Sequence, residues 1–297
     1  MSIFKLPSWI KQHQFSYKDF KGFSTQEIED LKSRLTNFSD ENPDISIVIP
    51  AWNEQEHLHR TLSSLASNQV SHKVEIIVIN NNSDDDTQLV LDTLNIKNYL
   101  ETKQGTSFAR EKGLEVAKGK YHLCADSDTL YPPKWIESMV APMIEDTSIV
   151  GVYGRYSFIP GPDQTRLGLL LYEAITGILI KIRKVNYEFV NVLGFNMGFI
   201  TQYGRTTGGF KVGQTRVFDN AQGSEYFIEE AEDGTMALNL LKKGKLKFLT
   251  SKDTWVYTSS RRLMAEGGLA TSFLNRIKTH GQRLSEYMSS KKSKNPS

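Results

Sequence analysis

Cysteine is almost absent: Cys124 stands alone in 297 residues. A disulfide framework is therefore excluded and a reducing compartment is permitted. Cys124 lies within a strand-like run, where a lone thiol reads as a small core residue. Histidine is also scarce. None of the six shows metal-ligand spacing, and His57 and His59, two apart, point off different sides of a helix. Neither charge sign prevails, with 36 Lys and Arg against 34 Asp and Glu, so nothing argues for a nucleic-acid partner. The first ten residues, Met1 to Ile10, lack the long apolar core of a signal peptide. No stretch has the length and apolarity of a membrane span. The nearest, Leu167 to Ile180, is too short, carries Glu173, and is followed by Lys181, Arg183 and Lys184. It reads first as a buried helix and second as a helix on a membrane surface, giving residues 167–184 as a peripheral membrane contact. The expected location is cytoplasmic, extending to the inner face of the membrane.

What remains is ordinary globular composition, 39% hydrophobic and 24% charged, in a chain long enough for one large core or two modest ones. Residues 1–43 read as a partly helical N-terminal extension. Ser24-Thr-Gln-Glu27 has capping-box spacing, with Ile28, Leu31 and Leu35 at helical intervals behind it. That helix is expected on the outside of the main domain. Ile45 to Ile49 is a β-branched strand broken by Pro50, and Asn53-Glu-Gln-Glu56 reads as a second capping box before Leu58, Leu62 and Leu65. Val74 to Ile79 is the next strand, followed by a helix over Thr87 to Leu94 with Asp84 or Asp85 as its cap. Gly105 to Arg110 opens a helix closed near Gly119. Tyr121 to Ala125 is the central strand, and Pro132-Pro133 introduces a helix with Ile136, Met139, Val140 and Met143 inward. Ile149 to Tyr153 is a further strand. Successive β-α units predict a doubly wound, mostly parallel sheet. Residues 263–297 read as a C-terminal helix and a basic, disordered tail.

Each early strand ends in polar chemistry, and in an open α/β sheet ligands gather beyond the carboxyl ends of the strands. Pro50, Ala51, Trp52 and Glu54 offer exposed backbone, an aromatic face and a carboxylate. Asn80, Asn81 and the acidic run to Asp86 offer amides and acids for base or ribose edges. Arg110 is a planar fork suited to a pyrophosphate. Asp126-Ser127-Asp128 supplies two carboxylates that share a hard cation, Mg²⁺ or Mn²⁺. A polar turn with Asp126 or Asp128 as a cap explains that tripeptide equally well taken alone. Four complementary strand ends together favour a nucleotide diphosphate site.

The order Val48 to Glu54, Val78 to Ser83, Gly105 to Arg110 and Asp126 to Asp128 resembles the family-2 glycosyltransferases of the GT-A fold. Gly194-Phe-Asn-Met-Gly-Phe199 with Gly208-Gly-Phe210 is similar to that family's segment before its acceptor site. Glu229 to Gly234 with Leu238 and Lys243-Gly244 is similar to its E-D helix. The resemblance covers about 44–262, taken as one GT-A domain with a nucleotide-sugar half over 44–130 and an acceptor half over 131–262. It implies an inverting transferase that moves a hexose-type sugar from a nucleotide diphosphate to a hydroxyl of a carbohydrate or lipid-linked acceptor, as in polysaccharide biosynthesis. It implies that Trp52 and Glu54 touch the base or ribose, that Asn80 or Asn81 completes the base pocket, and that Arg110 touches the diphosphate. Asp126 and Asp128 would handle Mn²⁺ or Mg²⁺ and the sugar. Glu232 would lie at the substrate, and Asp233 would be the general base. Arg261-Arg262 after Thr258-Ser-Ser is a candidate clamp for the diphosphate, with Arg262 taken as the contacting residue. One departure is Asn80-Asn81, where the family often has paired aspartates, which leaves the donor nucleotide open.

Two other functions share these residues. A sugar nucleotidyltransferase would want a Gly-rich, basic loop after the first strand, and Pro50-Ala-Trp-Asn-Glu54 is neither. A silent nucleotide-sugar-binding protein has no need of Asp126, Asp128 and Asp233 together.

Overall fold

The computed structural model describes residues 5–15, 20–161, 164–183, 187–211, 232–261 and 271. Two 3₁₀ turns, Ser8–His13 and Phe20–Gly22, precede helix α1 (Thr25–Leu35). The Ser24 capping box forms: Glu27 N–H donates to Ser24 Oγ at 3.3 Å and Ser24 N–H donates to Glu27 Oε2 at 2.8 Å. Phe20, Phe23, Leu31, Leu35 and Phe38 join the same apolar cluster as Ile45, Ile47 and Ile49. Helix α1 thus packs an apolar edge, Leu31 and Leu35, onto the core and leaves Gln26, Glu29, Asp30 and Ser33 exposed.

The main domain follows as β1 (Ile45–Ala51), α2 (Leu58–Leu65), β2 (Val74–Asn80), α3 (Thr87–Thr93), β3 (Asn98–Leu100), α4 (Thr106–Val116), β4 (Tyr121–Cys124), β5 (Thr129–Leu130), α5 (Trp135–Glu145), β6 (Ile149–Tyr153), β7 (Tyr156–Ile159), α6 (Arg166–Arg183), β8 (Met197–Ile200), α7 (Thr201–Thr206), α8 (Glu232–Leu241), β9 (Lys245–Phe248) and β10 (Val256–Ser259). All seven residues of β1 and of β2 are buried, so both faces of the sheet are covered and the strands read as continuous apolar runs. Helix α4 lies directly on β1. A Cβ at Gly113 would stand 2.2 Å from Val48 Cγ1, so only glycine permits that approach. Ile136, Met139, Val140 and Met143 of α5 all face inward.

The larger sheet runs β3-β2-β1-β4-β8-β6-β9 and the smaller β5-β10-β7. Strands β3, β2, β1 and β4 are mutually parallel, β8 is antiparallel to both its neighbours, and β6 pairs β9 in parallel. From β1 the chain winds outward to β2 and β3, then returns across β1 to form β4 on its other side. The winding direction reverses there, which opens a crevice beyond the carboxyl ends of β1 and β4. Those ends carry Pro50 to Glu54 and Asp126 to Asp128. The small sheet rims the crevice, with Thr258 of β10 opposite Thr129 of β5.

Local differences from the sequence expectations have physical causes. Asn53 does not cap α2. It sits at φ 54°, and its amide exchanges two hydrogen bonds with Asp84, donating to Oδ1 at 2.6 Å and accepting from Asp84 N–H at 3.0 Å. Asp85 accepts from Thr87 N–H at 2.9 Å, while Asp86 holds the cap position of α3 without a side-chain bond. On α6, Leu169 and Tyr172 are buried whereas Leu167, Leu171 and Ile178 are exposed. Among the described residues no helix is long and apolar enough to cross a membrane. The helix and tail expected over 263–297 lie outside the described residues, apart from 271.

Candidate active site

The Asp126–Thr129 turn is fixed from beneath. Tyr131 Oη accepts from Asp126 N–H at 2.9 Å and donates to Phe195 O at 3.0 Å. Thr61 Oγ1 lies 2.8 Å from Ser127 O and 2.9 Å from Thr129 O. Ser259 N–H donates to Asp128 O at 3.1 Å, tying the turn to β10. All three of Asp126, Ser127 and Asp128 are buried. A buried backbone so fully bonded holds its side chains in one geometry.

Each aspartate meets an arginine. Arg110, buried on α4, donates to Asp126 Oδ1 at 2.7 Å and to Gly194 O at 2.7 Å, and its Nε lies 3.6 Å from Glu232 Oε1. Burial works against its charge, yet Asp126, Glu232 and Asp233 raise its pKa above the ordinary arginine value. A Cβ at Gly194 would stand 2.5 Å from the Arg110 guanidinium, so a side chain there would displace the arginine from its partners. The same residue turns its N–H to Asp233 Oδ2 at 2.9 Å. Asp126, Arg110, Gly194, Glu232 and Asp233 therefore form one connected cluster. Burial first, and the Glu232 charge second, push the Asp233 carboxyl up to about 6, against the pull of Arg110 and of the Gly194 and Gly234 N–H groups.

On the opposite side, Arg261 follows β10. Its Nε donates to Asp128 Oδ2 at 3.1 Å, its Nη2 pairs closely with Glu54 Oε1, and its Nη1 lies 3.4 Å from His57 Nδ1. Glu54 is buried, with its N–H bonded to Thr87 Oγ1 at 2.8 Å. The structure brings Glu54 beside Asp128 through their shared partner Arg261. Of the arginine pair read in the sequence, Arg261 reaches the cluster; Arg262 lies outside the described residues.

The remaining candidates line the β1–β2 end. Ala51 O accepts from Asn81 N–H at 2.8 Å, and Pro50 pairs with Ile79 in the ladder. Trp52 is partly exposed at the rim. The Asn80 amide is bonded within its own loop, to Gln88 Oε1 at 2.8 Å and from Ser83 N–H at 3.0 Å. The Asn81 amide donates to Glu101 O at 3.0 Å and Lys103 O at 2.7 Å, and accepts from Gly105 N–H at 2.9 Å. Both amides shape the pocket wall with bonds that a carboxylate could not all make.

The donor set at the turn fits a hard cation. It consists of carboxylate oxygens, and the buried Glu54 Oε2 beside it makes no close hydrogen bond among the described residues, with His57 Nδ1 3.4 Å away. Among those residues no group of three or more His, Cys, Asp or Glu is arranged to hold a metal alone. Phosphate oxygens would have to complete the shell, as is usual for Mg²⁺.

Residues 46–205, more than half of the chain, match the model of glycosyl transferase family 2. The chain belongs to that family. The poly(ribitol-phosphate) β-N-acetylglucosaminyltransferase TarP of Staphylococcus aureus is 30% identical over 119 residues, covering 37% of this chain and 36% of that protein. The chain thus spans about a third of the length of TarP. A glycosyltransferase of Rickettsia prowazekii, RP339, is 26% identical over 238 residues, 71% of this chain and 74% of the other. Among solved structures, glucosyl-3-phosphoglycerate synthase of Mycobacterium tuberculosis with Mn²⁺, UDP-glucose and phosphoglyceric acid superposes with TM-score 0.50 at 18% identity, over 89% and 84% of the two chains. The mannosyltransferase PcManGT of Pyrobaculum calidifontis with GDP-Man and Mn²⁺ gives 0.53 at 16% identity, over 87% and 76%. The fold is accordingly that of the GT-A glycosyltransferases, a family-2 architecture whose crevice here holds the cluster just described. Glu232, Asp233 and Arg261 lie beyond the matched stretch; their place at the crevice comes from the tertiary structure.

Proposed function

We propose that this family-2 transferase moves a sugar, with inversion, from a nucleotide diphosphate to a hydroxyl of a carbohydrate or lipid-linked acceptor. The observation that carries this reading is the bridge through one residue, Gly194. Gly194 accepts from the arginine that holds Asp126 and donates to Asp233, so a leaving-group side and a base side share one crevice. Residues 44–130 would hold the donor and 131–262 the acceptor. Trp52 and the walls built by Pro50, Ala51, Asn80 and Asn81 would enclose the base. Asp126 and Asp128 would hold Mn²⁺ or Mg²⁺, which when bound offsets the charge growing on the departing diphosphate.

In the displacement, the acceptor oxygen forms a bond to the anomeric carbon as the bond from that carbon to the diphosphate oxygen breaks. The acceptor proton passes to the Asp233 carboxylate, and the nucleotide diphosphate leaves. A carboxyl near 6 is mostly ionised at neutral pH and more basic than an ordinary aspartate, which suits a general base. Glu232 keeps that pKa high, and Arg110 orients both Asp126 and the Gly194 peptide.

The test is ligand-linked stability. UDP, GDP or dTDP at 100 times its Kd should stabilise the protein by about 2.7 kcal/mol in the presence of Mn²⁺. That gain should vanish in EDTA and in Asp128→Ala. If no nucleotide diphosphate raises the melting temperature, or if EDTA and Asp128→Ala leave the gain intact, the reading fails.

A further inference from the structure

The two arginines at the aspartate turn make the same kind of contact but have opposite freedom. Arg110 is enclosed, its side chain 4% exposed, with its donors spread over Asp126, Gly194 O and Glu232. Arg261 is 35% exposed at the side chain and opens onto the crevice, while the two carboxylates it bridges are each 5% exposed. Its backbone is anchored: Arg261 N–H donates to Ser259 Oγ at 3.3 Å and Ser259 N–H to Asp128 O at 3.1 Å. A long side chain on a fixed Cα, with solvent on one flank, can exchange partners without moving the sheet. Arg110 has no such exit.

Arg261 stands on the oxygens a divalent cation would need. It occupies Asp128 Oδ2 through Nε and Glu54 Oε1 through Nη2, leaving Glu54 Oε2 with, among the described residues, only the His57 ring, its Nδ1 3.4 Å away. A hydrated cation arriving alone must displace a partly buried ion pair and strand the guanidinium, which costs free energy. A nucleotide diphosphate arriving with the cation supplies the guanidinium with phosphate oxygens, for which its planar fork is suited.

We propose that Arg261 is the resting counter-ion of the Glu54–Asp128 pair, and that it turns from these carboxylates onto the donor's diphosphate when the cation binds at Asp128. Metal and nucleotide thereby become mutually dependent: each binds weakly alone and both bind well together. This rests on the donor and metal assigned above, and it adds the residue that couples them. Coupling of this kind is reciprocal, so the factor by which UDP or GDP tightens Mn²⁺ equals the factor by which Mn²⁺ tightens the nucleotide.

Mn²⁺ binding is measured on the full chain by electron paramagnetic resonance of the free ion, with no nucleotide and then with saturating UDP or GDP. In Arg261→Ala, Mn²⁺ without nucleotide should bind about 5-fold tighter or more, nucleotide in Mn²⁺ should bind more weakly, and the coupling factor should shrink by a similar amount. Arg261→Lys keeps the charge but loses the fork that spans both carboxylates, and should lie between the two. It also serves as the test should the alanine variant prove unstable. Unchanged or weaker Mn²⁺ affinity without nucleotide in both variants, with the wild type binding normally, overturns the role of Arg261 and leaves the transferase reading intact. A wild type that binds neither Mn²⁺ nor UDP nor GDP overturns both.

Discussion

Asp233 carries the heaviest demand of any single side chain. As the proposed base it would have to be ionised to accept a proton, yet burial and Glu232 hold its carboxyl up to about 6. kcat/KM of the free enzyme should therefore rise with pH through about 6. Asp233→Asn keeps the shape and removes the basicity, so turnover should fall by about 10²-fold or more and the inflection should disappear, with nucleotide affinity nearly unchanged. Glu232→Gln removes the charge that raises that pKa, and should move the inflection toward lower pH with a milder loss of rate. A pH profile unchanged by Asp233→Asn would assign the base elsewhere. At this scale the sequence was partly legible. Asp126, Asp128, Arg110 and Asp233 were readable as candidates because each ends or begins an apolar element. That Arg261 reaches the crevice was not, since it depends on the pairing of Thr258 with Thr129, 129 residues apart. Asn80 and Asn81 were read as candidates for a base pocket; the bonds of the Asn81 amide to Glu101, Lys103 and Gly105 join loops 20 to 24 residues apart and were not legible.

Helix α6 is the element whose surface is least accounted for. Leu167, Leu171, Ala174, Ile178 and Lys181 recur at i, i+4, i+7, i+11 and i+14, so they share one face, and all are exposed. Leu169 and Tyr172 are buried on the other side. The stripe ends in Lys181, and Arg183 and Lys184 follow in the sequence, a charge pattern complementary to anionic lipid at about 1 kcal/mol per basic residue near the surface. The helix packs beside β7 of the small sheet, its Glu173 accepting from Phe158 N–H at 2.8 Å, so a bilayer under α6 would lie next to that sheet. The chain should co-sediment with vesicles containing anionic lipid at low salt and release as salt rises. Leu171→Asp should weaken binding without loss of fold. No sedimentation at low salt would remove the membrane as this helix's partner. Elements as such were more legible than surfaces. Strands β1 and β2 announce themselves because burial on both faces demands unbroken apolar runs, and the Ser24 box forms because all its parts are local. The apparent box at Asn53 failed because Asp84, from the next loop, takes the asparagine side chain.

Across the molecule, pH acts on folding through groups that the core has moved away from their ordinary pKa values. Burial lowers His13 to about 4, with Arg34 adding to it; burial lowers His59 to about 3, helped by Arg60; burial lowers His122 to about 3, helped by Arg110. His59 lies among the rings of Phe15, Phe20 and Phe23, so the N-terminal extension itself helps to keep it neutral. Each of these histidines is neutral in the folded state and protonated in the unfolded chain below pH 6.5. Their contribution to stability is fully present above 6.5 and is lost as pH falls toward 4. Asp233 works in the opposite direction. Between its unfolded value of 3.8 and about 6 the folded state holds the extra proton, which offsets one histidine. Unfolding near pH 5 should thus take up about two protons from these four groups, a slope of about 2.7 kcal/mol per pH unit at about 1.4 kcal/mol per proton. Set against a total stability of about 5–15 kcal/mol, that slope is large enough to dominate acid behaviour. Urea unfolding at pH 7.5, 6.0 and 5.0 should show the midpoint falling steeply below 6.5. His59→Phe, apolar and ring-shaped among phenylalanines, should remove about one proton from the slope, whereas Asp233→Asn should make the acid fall steeper by about one. Equal stability at pH 5.0 and 7.5, or a slope indifferent to both substitutions, would mean that these buried groups do not set the acid limit of the fold.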